Sequence, residues 1–168
     1  MLLRSVFVGL ALAVCTWAAD PVYVGAWKIN LEQSKLSNPS MSKGRVMSAV
    51  ATGPNSITLT EEQPMPNGQV RKMAGPVIFD GKEHSLDSAK VTYDGKERPS
   101  EMVPGVTRTD SLVDDHHIHV IFKRDGKQFQ VIDVTFSPDG KIMTTVRKGS
   151  NVNGKALTEP LVEVWDRQ

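Results

Sequence analysis

Hydrophobic and polar residues alternate in short runs along most of the chain, and turn dipeptides separate the runs. The segments 57–60, 119–122, 129–136 and 142–146 are rich in β-branched and aromatic residues, which favours strands. After residue 19, no segment combines a sustained 3.6-residue periodicity with helix caps. The sequence therefore predicts an all-β protein.

The spacing of the turns predicts how these strands are connected. Asn-Gly and Asp-Gly pairs favour tight hairpins. The glycines of successive pairs lie 13 or 14 positions apart, except for one gap of 31 that has the polar run 114–116 near its middle. The six pairs are Asn67-Gly68, Asp80-Gly81, Asp94-Gly95, Asp125-Gly126, Asp139-Gly140 and Asn153-Gly154. Such short connections join neighbouring antiparallel strands, so we expect an up-and-down meander of about eight to ten strands.

A meander of long strands leaves two exposed edges unless it closes on itself, which favours a barrel over an open sheet. The alternation near the end of the chain is mixed: Trp165 shares a face with Glu163 and Arg167. A barrel with a partly polar interior would give this pattern, and so would a β-sandwich with imperfect alternation.

The first 18 residues have the features of a cleavable signal peptide. Arg4 provides a positive start, residues 6–14 are almost all apolar, and Ala18 fits a cleavage site, with Ala19 as the alternative. The apolar run is shorter than the roughly 20 residues of a membrane span, and we expect no span elsewhere. We therefore expect residues 1–18 to be removed and residues 19–168 to form a single exported domain, periplasmic or extracellular.

Cleavage after Ala18 changes the composition of the mature chain. Of the 168 residues, 150 would remain, with 19 basic and 19 acidic side chains and without Cys15, the sole cysteine. A neutral, thiol-free chain excludes disulfides and thiolate chemistry, and it lacks the positive field that would attract nucleic acid. Residues 12–15 look like a lipobox, but Val14 stands where that motif has a small residue, so we expect no lipid anchor at Cys15. We expect a monomer.

Several segments carry a resemblance to a known group of proteins. Gly25-Ala26-Trp27 resembles the Gly-x-Trp opening of lipocalins and fatty-acid-binding proteins. The segment 27–35, the Asp-Gly-Lys turns and the ending 164–168 together resemble small secreted lipocalin-like proteins of soil bacteria, especially acidobacteria, although Arg167 replaces the usual Lys. The resemblance implies an export signal and an antiparallel up-and-down meander closed into an 8–10-stranded lipocalin-like or fatty-acid-binding-protein-like barrel. It implies no particular activity.

A barrel of this kind predicts a small apolar or amphipathic ligand in a cavity of several hundred Å³. The candidate lining residues are Trp27, Arg71, Arg147 and Trp165. The two tryptophans could equally be core residues that pack where the barrel closes, and the arginines could be solvated on the outside. An inward arginine would need a partner, either an internal carboxylate such as Asp133 or an acid group of the ligand. Arg147 also resembles, in position, the arginine with which fatty-acid-binding barrels hold a carboxylate.

A second hypothesis is a metal site. His117 and His119 share one face of a strand and could offer two imidazole nitrogens to Zn or Cu, with His84 as a third ligand. Otherwise we expect no cofactor.

A third hypothesis is a cell-envelope interaction module that binds a macromolecule through its outer face or through the loops 38–44 and 97–105. The sequence has no Gly-x-Ser-x-Gly elbow, no His-Glu-x-x-His and no phosphate-binding loop, so nothing in it points to an enzyme.

Overall fold

A computed structural model describes the protein over residues 20–98, 104–151 and 154–168. This part contains twelve strands and one short 3-10 turn, Pro39–Ser42. The strands are β1 (Gly25–Lys35), β2 (Val46–Gly53), β3 (Ser56–Pro64), β4 (Val70–Ile78), β5 (Glu83–Ser85), β6 (Lys90–Tyr93), β7 (Lys96–Glu97), β8 (Val106–Asp114), β9 (His117–Arg124), β10 (Lys127–Phe136), β11 (Ile142–Gly149) and β12 (Leu161–Arg167). Residues 1–18, with the proposed cleavage site and Cys15, lie outside the described residues. In the described part, no helix has the length and apolar character needed to cross a membrane.

The strands form one antiparallel sheet in the order β5-β8-β9-β10-β11-β12-β1-β2-β3-β4-β6-β7. The ladder between β1 and β12 joins a half built from β1–β4, β6 and β7 to a half built from β5 and β8–β12. The sheet curves into a barrel, which confirms the all-β up-and-down architecture. Nine of the strands in the described part have seven or more residues, and the three short ones lie between β4 and β8.

Most predicted turns connect paired neighbours, and one does not. Asp125 and Gly126 both have positive φ, 50° and 75°, as the tight hairpin between β9 and β10 requires. The sequence predicts a hairpin at Asp80-Gly81, but β5, which follows this turn, pairs with β8 and not with β4. The Gly81 amide donates to the Asp110 carbonyl at 3.1 Å. This turn therefore takes the chain from β4, in one half, to β5, in the other half, and we call the boundary between β4 and β5 the seam.

The core lies inside the barrel and follows from the alternation of the strands. Ile118 and Val120 of β9 point inward, as do Ile57 of β3 and Val77 of β4. Trp27 and Trp165 are the largest fully buried side chains among the described residues, with 1% and 0% exposure. They lie on the two strands whose pairing joins the halves, as expected for closure aromatics.

Arg167, the last residue of β12, binds backbone carbonyls of the segment before β1 and of the β10–β11 turn. Its Nε donates to the Gly140 carbonyl at 2.6 Å, its Nη1 donates to the Val24 carbonyl at 2.9 Å, and its Nη2 donates to the Val22 carbonyl. The guanidinium also lies 4.5 Å from the ring centre of Trp27, within cation–π distance. One side chain thereby ties together the segment before β1, the β10–β11 turn and β12.

Gly25 leaves the space that this guanidinium occupies. A Cβ at this position would lie 2.6 Å from Arg167 Nη1, and the backbone has a φ of +141°, which other residues rarely adopt. Gly25, the first residue of the Gly-x-Trp opening, is therefore a steric requirement of the Arg167 contact.

Replacing Arg167 with Ala should destabilise the barrel, because three carbonyls lose a charged donor and Trp27 loses its cation. We expect a loss of about 2–4 kcal/mol in the free energy of unfolding, and a smaller loss for Arg167→Lys, which keeps the charge without the planar fork. Urea unfolding monitored by tryptophan fluorescence measures both. The control is Lys141→Ala, whose side chain is 76% exposed. An Arg167→Ala variant as stable as this control would contradict the role assigned to Arg167.

Candidate functional site

A cavity of about 170 Å³ lies inside the barrel. All nine long strands, or the residues directly flanking them, contribute to its wall, which is mostly aliphatic and aromatic. Representative apolar lining residues are Trp27, Met47, Leu59, Val120, Ile132 and Phe136. The volume is smaller than the several hundred Å³ expected, because aromatic and charged side chains fill part of the interior.

Four of the lining residues form a charge cluster, in which two side chains are buried and two are half-buried: Arg45 and Glu163, and Glu61 and Arg147. Arg45 lies 3.0 Å from Glu61 and 2.7 Å from Glu163, and the side chains of Arg45 and Glu163 are each only 9% exposed. Glu163 also lies 3.7 Å from Arg147 and accepts a hydrogen bond from the Thr145 hydroxyl at 3.2 Å. The Arg45 guanidinium lies 5.0 Å from the ring centre of Trp165. The charge cluster therefore links the residue directly before β2 to β3, β11 and β12 across the interior.

Opposite charges and hydrogen bonds together shift the pKa values of Glu163 and Arg45 more than burial does. Burial alone would raise the pKa of Glu163, but the charges of Arg147 and Arg45 and the hydrogen bonds from Arg45 and Thr145 lower this pKa below its ordinary value. Burial alone would lower the pKa of Arg45, but Glu61 and Glu163 raise it. Both shifts favour the charged forms of Glu163 and Arg45.

A separate ion pair, outside the charge cluster, lies at the seam between β4 and β5. Arg108 of β8 donates to the Asp110 carboxylate, and its guanidinium stacks 5.4 Å from the ring centre of Phe122. Burial raises the pKa of Asp110, which is 1% exposed, and Arg108 offsets this only in part. Both residues also line a neighbouring cavity of about 140 Å³ between β4 and β5. The Arg108–Asp110 pair therefore lies between the cavity inside the barrel and the cavity at the seam.

The structure brings two of the four predicted ligand residues to the cavity. Trp27 and Arg147 line it. Trp165 is buried in the core beside Arg45 and is not among the lining residues. Arg71 is half-buried on the inward-facing side of β4 and is also absent from the lining. The partner of Arg147 is Glu163, whereas Asp133 lies on the outer face, because its neighbours Ile132 and Val134 face the cavity.

The predicted metal ligands do not come together. His117 and His119 lie on the outer face of β9, where the Asp133 carboxylate approaches them at 3.5 Å and 2.8 Å. His84 lies directly opposite Arg108 in the ladder between β5 and β8, and it lines the cavity at the seam. Its side chain is therefore on the inner face of the sheet, whereas His117 and His119 are on the outer face. The described residues contain no group of three or more His, Cys, Asp or Glu side chains that could hold a metal ion.

Sequence reasoning missed most of the charged lining, although the signal was present. In β3, Glu61 continues the inward series of Ile57 and Leu59, so strict alternation would have placed it inside. Likewise, Asp110 continues the series that starts at Val106. Arg45 gave no such signal, because it precedes β2.

Comparison with known proteins supports the architecture. No protein-family model and no curated protein sequence matches the chain. Its fold matches crystal structures of two mutants of the fluorescent protein UnaG, a fatty-acid-binding-protein-like barrel, each with a TM-score of 0.56 and 15% identity. The alignments cover 88% and 86% of this chain, and 96% and 95% of the UnaG chains. At this identity the likeness shows the fold alone.

The charge cluster predicts a dependence of stability on pH. Because the pKa of Glu163 is lowered in the fold, its stabilising contribution is fully present above its ordinary pKa and is lost as the pH falls through the lowered value. We expect Glu163→Gln to cost about 2–4 kcal/mol at pH 7, and to flatten the loss of stability on acidification below about pH 4.5. Denaturant titrations between pH 7 and 3 measure both effects.

The matched control for this measurement is Glu62→Gln. Glu62 lies on the outer face of β3, where its side chain is 41% exposed beside Lys72. Its replacement should change the free energy of unfolding by less than about 0.5 kcal/mol and leave the acid profile unchanged. If Glu163→Gln behaved in the same way as this control, the charge cluster would have no role in stability.

Proposed function

We propose that this chain is an exported barrel that binds a small apolar or amphipathic molecule in its interior, without catalysis. The observation that carries the proposal is the cavity of about 170 Å³ inside the barrel, with apolar walls and a few charged groups. Mostly apolar walls with a small number of polar groups are typical of small-molecule sites. A dry apolar cavity of roughly 150 Å³ is enough to bind benzene. The export part of the proposal rests on the signal-like residues 1–18.

The cavity favours this function over the two alternatives. An interaction module needs no cavity and requires a continuous apolar patch. The exposed large hydrophobic residues in the described part lie on β2, β4, β8 and β11, and only Leu112 and Val113 are adjacent in sequence. The metal hypothesis lacks its third ligand, because His84 is on the other face of the sheet.

Native mass spectrometry of the protein, purified without chelator from the medium or periplasm of its host, tests the proposal directly. We expect an organic mass that is lost on denaturation, and a polypeptide mass that corresponds to a chain starting at Ala19. A full-length polypeptide mass would contradict export by signal cleavage. A zinc-sized or copper-sized increment that disappears in His117→Ala would support the metal alternative instead.

A pair of neighbouring substitutions tests whether binding takes place in the cavity. Ala49 lines the cavity, whereas Val50, the next residue of β2, is 59% exposed on the outside. We expect Ala49→Leu to fill part of the cavity and to weaken binding of small aromatic molecules by about tenfold or more, whereas Val50→Leu should have no effect. Ligand-observed NMR and quenching of the tryptophan fluorescence measure the affinities, and thermal melts verify that both variants fold. Equal affinities in the two variants would place binding elsewhere.

A further inference from the structure

Six ionisable side chains line the cavity, and their formal charges sum to zero. Three are arginines and three are carboxylates: Arg45, Arg108, Arg147, Glu61, Asp110 and Glu163. Each arginine has a carboxylate partner within 4 Å. The lining therefore holds no cation that is left without an opposite charge.

This balance works against an ionic ligand. A carboxylate that entered the cavity would lose its hydration and meet no net positive charge in return. At Arg147, the arginine predicted to face the interior, it would also meet the negative charge of Glu163, 3.7 Å from Arg147 Nη2. A cationic ligand would encounter Arg45 and Arg147 in the same way. An uncharged molecule avoids both costs.

Arg147 nevertheless keeps hydrogen-bonding capacity. A guanidinium has five N–H donors, and the 3.7 Å separation from Glu163 is longer than a hydrogen bond. Among the described residues, Arg147 Nε is a buried donor with no hydrogen-bond partner, whereas the side chain as a whole is 33% exposed. It can therefore donate to a neutral acceptor without losing its ion pair with Glu163.

We propose that the ligand of this cavity is an uncharged molecule, about the size of a substituted benzene, with a hydrogen-bond acceptor such as a carbonyl that receives an N–H from Arg147. This inference rests on the proposed function and narrows its ligand class. The apolar wall supplies most of the affinity, and the neutral acceptor orients the molecule toward the charge cluster.

Four probes of similar size test the charge and the acceptor separately at pH 7.5: acetophenone, ethylbenzene, benzoate and benzylammonium. Acetophenone and ethylbenzene have similar shapes and differ in the carbonyl, whereas benzoate and benzylammonium carry opposite charges. We expect acetophenone to bind best, and both ions to bind more weakly by about tenfold or more. Ethylbenzene should bind a few-fold more weakly than acetophenone, and Arg147→Leu should abolish that difference. Ligand-observed NMR titration of the purified protein gives the four dissociation constants.

Removal of one lining carboxylate should change the charge preference in a defined direction. Glu61→Gln leaves the lining with one net positive charge, while Arg45 keeps Glu163 as its partner. We expect the disadvantage of benzoate relative to acetophenone to shrink by about tenfold in this variant, and that of benzylammonium to grow. Glu62→Gln, the same substitution on the outer face of the same strand, should reproduce the wild-type ratios.

The outcomes separate this inference from the function on which it rests. If benzoate binds wild-type protein as tightly as acetophenone does, the proposed ligand class is wrong although the barrel still binds small molecules. If ethylbenzene matches acetophenone in wild type, the role of Arg147 as donor is wrong. If none of the four probes binds, and the exported protein carries no organic mass, both the inference and the proposed function are overturned.

Discussion

The rest of the structure depends on the ladder between β1 and β12. In the described part of the sheet, this is the pairing that joins the N-terminal half to the C-terminal half. Arg167 reinforces it through carbonyls on both sides of the junction and through the face of Trp27. Without this ladder, each half would be a sheet with one bare apolar face, so the cavity exists only because the two ends of the chain meet.

The strand that closes the barrel also supplies part of the site. In β12, the inward positions 163, 165 and 167 carry an acid, an indole and a guanidinium. Glu163 reaches Arg45 and Arg147, Trp165 packs beneath Arg45, and Arg167 covers Trp27. Since residues two apart on a strand share a face, any shift in the register of β12 would move the closure contacts and the charge cluster together. The pairing of β12 with β1 thus fixes the geometry of the closure contacts and of the charge cluster.

The sequence was sufficient to predict the architecture, because hairpin turns and alternation are local signals. The turns at 67–68 and 125–126, the closure tryptophans and the mixed inner face at 163–167 could all be read without coordinates. Side-chain partnerships could not, since they join residues far apart in the chain. Arg45 and Glu163 are separated by 118 positions, and nothing local distinguishes Asp133, which faces outward, from Glu163 as the partner of Arg147. The turn at 80–81 misled for a related reason: its sequence favours a tight turn but does not specify which strand will pair with the next.

The charge cluster explains why the cavity is small and why it has a polar end. Buried ion pairs contribute little net stability, and well-packed apolar residues could often replace them without loss. If apolar side chains of similar volume replaced Arg45, Glu61 and Glu163, the interior would be a uniform apolar core without a polar end. Instead, the interior keeps a void beside a balanced set of donors and acceptors whose positions several contacts fix in advance. A preorganised polar end next to an apolar void gives a molecule one preferred orientation, and it does so at little entropic cost on binding because the side chains are already ordered.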